Sequence, residues 1–142
     1  YGAEPIPSQP LGLKPVMQLK SNIIQIRALE AGESVSYGAT WTASKYTHIA
    51  VAAIGYADGL PRLLSKQGKA SHHSGILPIV GRVCMDYCLL EVDSAQVSIG
   101  DEVTFFGDHN APSANAVASQ CQTIAYEIFT GISPRVTRHY TR

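Results

Sequence analysis

At 142 residues the chain has the length of one domain and is long enough to bury a core. Eleven basic residues balance eleven acidic ones, so no long-range field gathers a polyanion, which argues against nucleic acid and anionic membrane as partners. No apolar run approaches the roughly 20 residues that span a bilayer.

Among the three cysteines, Cys84 and Cys88 lie four apart and Cys121 stands alone. An odd count without Cys-x-x-Cys suggests neither a disulfide framework nor a four-thiolate zinc site. Free thiols fit a reducing compartment, and with no signal segment at the start the expected location is cytoplasmic.

Residues 1–15 carry Pro5, Pro7, Pro10 and Pro15, which remove backbone donors and forbid a helix or central strand. They read as an extended connector from something upstream, and 16–142 as the domain. Val16 to Leu29 is rich in β-branched and aliphatic residues and predicts a strand buried partly on both faces. The turn Ala31-Gly32-Glu33-Ser34 ends it, and the stretch from Val35 to Ala43 follows, holding Tyr37 against Gly38. Ile49 to Ile54 is a short apolar run closed by Gly55, better read as a buried strand than a helix.

Gly59 through Gly75 is polar and reads as an exposed excursion. His72-His73 lies inside it, where two ring nitrogens alone make a poor metal site, and no metal is expected. Two apolar segments, Ile76–Val80 and Val83–Val92, pivot on Gly81, and Ile99-Gly100-Asp101-Glu102 turns into a strand over Val103–Phe106. The period then changes. Ser113 is a plausible N-cap, and Ala114, Val117, Ala118 and Cys121 fall on one helical face. Thr123 can cap a second helix, Ile124 to Thr130, with Gly131 at its stop. Short strands spaced by glycine turns, with two short helices near the C-terminus, predict a mainly β fold: a small closed or nearly closed β-barrel.

Four motifs occur in order: Ser36-Tyr37-Gly38, Gly55-Tyr56-Ala57-Asp58-Gly59, Gly81-Arg82-Val83-Cys84-Met85-Asp86 and Thr123-Ile124-Ala125-Tyr126-Glu127. In this order they resemble the C-terminal domain of alanine racemase, a pyridoxal-phosphate (PLP) enzyme, from about Tyr1 to the C-terminus. Read alone, Tyr37 is an interfacial aromatic as readily as a base, because a phenol with a pKa near 10 needs neighbouring cations to lose its proton. The resemblance implies that Tyr37 is the catalytic base for L-alanine, reaching into the neighbouring subunit's site. It implies that the main-chain N–H of Met85 binds the substrate carboxylate. Tyr126 would hydrogen-bond the PLP phosphate. Tyr56, Arg82, Asp86 and Ile124 would line the substrate entryway, together with Tyr126. From the residues alone Met85 is a core methionine, Tyr126 core packing, Gly-Tyr-Ala-Asp-Gly an ordinary turn, and Arg82 with Asp86 a surface ion pair.

By the same resemblance the PLP-bearing lysine belongs to an N-terminal α/β barrel, and the partners are that barrel, a second copy in a head-to-tail homodimer, and alanine. Residues 16–142 by themselves are then expected neither to bind PLP nor to racemise alanine, the whole enzyme supplying D-alanine for peptidoglycan. Two other readings stand beside this one: a racemase of broader amino-acid specificity, and a non-catalytic β-barrel docking module, which would make no use of Tyr37, Met85 or Tyr126.

Overall fold

The structure, a computed structural model, describes residues 2–3, 11–107 and 110–141. Much of the connector expected over 1–15 lies outside the described residues; of its remainder, Leu11–Pro15 forms no helix or strand.

Six strands close an antiparallel barrel: β1 (Leu19–Leu29), β4 (Thr47–Ala52), β7 (Cys88–Val92), β6 (Gly75–Val80), β5 (Lys69–His72) and β8 (Glu102–Phe106), in that order round the wall. β8 returns to β1, pairing Leu19 with Phe106 and Asn22 with Glu102, so the sheet has no free edge. β1 serves both neighbours because its register shifts between Ile23 and Gln25 where it meets β4. Ile24 falls at that irregularity and is 46% exposed, while Ile23 is buried inside.

The interior is filled by Leu19, Ile23, Leu77, Ile79, Leu90, Val103 and Phe105 among others, with Ala50 and Ala52 of β4 keeping the space narrow. β4 is apolar on both faces, as its unbroken sequence requires. Its outward Ile49 joins Leu29, Ala43 and Val80 in a second cluster outside the wall, covered by Val35 and Trp41. Those two residues belong to a small ribbon, β2 (Ser34–Val35) paired with β3 (Trp41–Thr42). Burying each large aliphatic there is worth about 1.5–3 kcal/mol, which roots the ribbon on the barrel.

Two segments differ from the sequence expectation. The polar stretch 59–75 is not an excursion throughout: it holds a short 3-10 turn at Arg62–Leu64 and the barrel strand β5, with Ala70 and His72 buried. The His72 imidazole is satisfied indoors, by Ser74 at 2.7 Å on Nδ1 and Asp101 at 3.1 Å on Nε2. The Ser98 N–H and this histidine hold the Asp101 carboxyl below the usual carboxylate range. The second apolar segment becomes a strand only from Cys88. Residues 81–87 form a loop in which Val83 is still buried, because the Ser65 hydroxyl accepts its N–H at 3.0 Å.

Near the C-terminus α1 (Ala114–Gln120) starts at Ser113, whose hydroxyl accepts the Ala116 N–H at 3.1 Å. Its face of Ala114, Val117, Ala118 and Cys121 is buried against the barrel core. α2 (Ala125–Thr130) begins one residue later than expected. The Thr123 hydroxyl donates to the Glu127 carboxylate rather than capping a backbone N–H, and Gly131 follows in right-handed conformation. Among the described residues no helix is long and apolar enough to cross a membrane.

Candidate active site

Tyr37 stands at the tip of the β2–β3 ribbon and is 71% exposed. The tip is a tight turn in which Ser36 and Ala39 take positive φ of 73° and 47°, a conformation L-residues adopt only when the surroundings enforce it. Ser36 provides the enforcement. Its hydroxyl accepts the Arg82 N–H at 2.7 Å and lies 3.4 Å from the Arg82 carbonyl. Gly81, with φ of +65°, lets the ribbon come this close. The Arg82 guanidinium then lies beside Gly38, next to the tyrosine. At the foot of the turn the Thr40 hydroxyl oxygen is buried without a hydrogen-bond partner among the described residues.

The same loop continues into Met85 and Asp86, where it meets the Gly-Tyr-Ala-Asp-Gly turn. The Tyr56 N–H donates to the Cys84 carbonyl at 2.9 Å and the Ala57 N–H to the Met85 carbonyl at 3.0 Å. A β-carbon at Gly55 would stand 2.3 Å from both carbonyl oxygens, so only glycine permits this stacking of two backbones. Met85 is 52% exposed in this loop, not a core methionine in a strand. Its carbonyl is used, while its N–H makes no hydrogen bond to any described residue.

Asp86 does not pair with Arg82. Arg135 takes that place, its Nε on Asp58 and a terminal nitrogen on Asp86, both at 2.7 Å. The two carboxylates hold the guanidinium proton more firmly than in a free arginine. Among the described residues Arg82 is left without a carboxylate, so its charge faces the tyrosine tip.

Tyr56, Arg82, Met85 and Asp86 are thus brought into one surface with the Tyr37 turn. Ile124 and Tyr126 stand apart in the hydrogen-bond pattern. They occupy the start of α2, 64% and 48% exposed, and that end of the fold joins the others through the Ser133 N–H on the Asp58 carbonyl at 3.0 Å. The sequence assigns no role to Ser36, which enters only as a neighbour of Tyr37 in its motif, nor to Arg135. Ser36 sits 46 residues from the arginine it touches, and Arg135 77 from Asp58, so no local spacing signals either contact.

Residues 16–140 match the family model described as alanine racemase, C-terminal domain. The chain is 43% identical to the alanine racemase of Desulfosudis oleivorans, covering 99% of this chain and 37% of the relative. It is 39% identical to that of Helicobacter pylori strain G27, over 94% of this chain and 36% of the relative. Of solved structures, biosynthetic alanine racemase from Pseudomonas aeruginosa superposes with a TM-score of 0.91 at 35% identity, over 100% of this chain and 40% of that one. Alanine racemase from Bartonella henselae with covalently bound pyridoxal phosphate gives 0.91 at 32% identity, over 99% and 39%. The chain spans a little over a third of the length of these relatives. The closed barrel with its tyrosine ribbon therefore belongs to the alanine racemase family, as a C-terminal domain of that family.

Proposed function

We propose that this chain works as the C-terminal part of a cytoplasmic, PLP-dependent alanine racemase, an isomerase that interconverts L- and D-alanine for peptidoglycan. Residues 16–142 act there as one domain behind a connector, beside an N-terminal α/β barrel, and complete the site of a second copy in a head-to-tail dimer. The three free cysteines suit a reducing compartment. One arrangement supports the reading above all: Ser36 latches the Tyr37 turn onto the strand of chain that presents the Met85 N–H, which no described residue accepts. A proton-transfer group and a carboxylate donor are thereby set on one rigid surface, turned outward, where only another body can use them.

Tyr37 takes the α-proton of L-alanine as phenolate and, as the phenol so formed, returns it in the reverse direction, one face of the substrate being its own and the other left to a group outside this chain. The Met85 main-chain N–H holds the substrate carboxylate. Tyr56, Arg82, Asp86 and Ile124 frame the entryway, with Asp86 held in place by Arg135. Tyr126 suits the cofactor phosphate: its ring is half-exposed and its hydroxyl makes no hydrogen bond to a described residue, so a donor is at hand. When bound, PLP supplies the electron sink for the charge left as the α-proton departs. Every other contribution of this chain is orientation and proton transfer.

The test is racemisation by the full-length protein with PLP, beside its Tyr37→Phe variant. The parent is expected to be active and the variant to lose at least about 100-fold in the L-to-D direction. Equal rates in both would overturn the role of Tyr37. A PLP-loaded parent that racemises other amino acids better than alanine would select the broader-specificity reading, and no PLP uptake would select the docking module.

A further inference from the structure

We propose that His72, His73 and Asp101 form a binding site for one zinc-class divalent cation, at the opposite end of β6 from the tyrosine ribbon. One donor atom from each of the three lies within 4.8 Å of the others. Two of the donors are already set. The His72 side chain is wholly buried at the end of β5, with Nε2 3.1 Å from Asp101 Oδ2. In a tetrahedral site with bonds near 2.1 Å, neighbouring ligand atoms stand about 3.4 Å apart, so this pair needs little adjustment. His73 is exposed, its ring 3.9 Å from that of His72 between centroids, and is free to turn its nitrogen inward. Water would fill the fourth position.

The scaffold beneath the donors is stiff. β5 pairs with β6 along its whole length and with β8 at Ser71 and Thr104. The Asp101 turn is pinned to β1, the Gly100 N–H donating to the Ile23 carbonyl at 2.7 Å and the Ile23 N–H to the Asp101 carbonyl at 2.9 Å. Two fixed arms and one exposed arm already beside them make a site that needs little ordering on binding.

The proton balance also works. The Ser74 N–H donates to His72 Nδ1 at 3.2 Å, so in the metal-free form the ring proton sits on Nε2 and points at Asp101. A cation on Nε2 sends that proton to Nδ1. The Ser74 hydroxyl, 2.7 Å away, turns to accept it, the outer-shell partner a ligating imidazole needs. The cost is the longer contact from the Ser74 N–H. Two imidazoles with one carboxylate favour zinc and its neighbours over magnesium or calcium, which prefer oxygen alone. β6 separates this site from Gly81 by six residues, about 20 Å, so the cation would clamp the β5–β6 hairpin to the turn before β8 without touching the tyrosine surface.

Titration calorimetry of Zn2+ into the untagged chain tests this, with Mg2+ as control. One Zn2+ per chain with micromolar affinity is expected, with no response to Mg2+. His73→Ala, at an exposed position that leaves the fold intact, is expected to weaken binding at least about tenfold, as is Asp101→Asn. His139→Ala, an exposed histidine elsewhere, should leave it unchanged. Zn2+ should also raise the melting temperature of the parent by several degrees and not that of His73→Ala. Absence of binding at millimolar Zn2+, or parental affinity in the folded His73→Ala chain, would overturn the proposal.

Discussion

Ser36 and Gly81 approach so closely that a β-carbon at Gly81 would stand 2.4 Å from that of Ser36. The contact joins the reactive end of the ribbon to the loop carrying Arg82 and Met85, which are distant in sequence. Gly81→Ala adds a methyl group where neither partner can retreat, at a φ that alanine tolerates poorly. We expect a loss of about 1–3 kcal/mol in urea unfolding. Unchanged stability would mean that the ribbon tip moves away at no cost.

Ser36→Ala removes the acceptor of the Arg82 N–H and the hydroxyl's longer contact to the Arg82 carbonyl. A fall of about 1 kcal/mol is expected on unfolding. In the full-length protein racemase activity should drop further than stability does, because the Tyr37 turn loses its latch while the barrel stays closed. Parental activity would show that Val35 and Trp41 alone position the tyrosine.

Arg135→Lys keeps the charge but not the planar fork, whose Nε and terminal nitrogen reach Asp58 and Asp86 separately; a lysine must bring both carboxylates to one nitrogen. The arginine is about half exposed, so the expected loss of stability is small and should shrink in high salt. Unfolding at low and high ionic strength measures both. A salt-independent loss would point to packing instead.

Met85→Leu should retain most of the full-length enzyme's activity, since the proposed contact to the substrate is main chain and the side chain is half exposed. Steady-state rates decide it. A loss beyond about tenfold would transfer the role to the thioether side chain.

Cys84 and Cys88 should differ sharply toward iodoacetamide. Burial pushes the Cys88 thiol far above its usual value, with Cys84 nearby adding to the effect, and the residue is fully enclosed. Burial raises Cys84 as well, but Arg62 partly offsets it and the residue is only half-buried. Cys84 should be labelled first and Cys88 only as fast as the chain unfolds, followed by peptide mass mapping. Prompt labelling of Cys88 in the native chain would contradict the closed wall.

What the sequence revealed follows the range of the forces involved. The α1 cap and its buried face were legible because Ser113, Ala114, Val117, Ala118 and Cys121 act over a single turn or two. The barrel wall was legible where strands are aliphatic, as in β4 and β8. β5 was not: of Lys69-Ala70-Ser71-His72 only an alanine and a histidine point inward, and the histidine is made acceptable there by Asp101, 29 residues on. Tyr37, Tyr56, Arg82, Met85 and Asp86 are named by motif, and backbone contacts bring the segments that carry them together. Their supports, Ser36 on Arg82 and Arg135 on two aspartates, were hidden because each is a contact between distant segments of ordinary composition.

The seam where β8 meets β1 also governs how the chain can reach this structure. Leu19 has to find Phe106, and Asn22 Glu102, across most of the length of the protein before the wall is complete. The entropy of closing so large a loop is lost before the seam's contacts repay it, which places the domain among slow folders, on the millisecond-to-second scale of other closed β topologies. Until the two strands meet, each exposes an unpaired backbone edge to other chains. The interval before closure is therefore when the protein is most open to aggregation, although the finished barrel leaves no edge to attack.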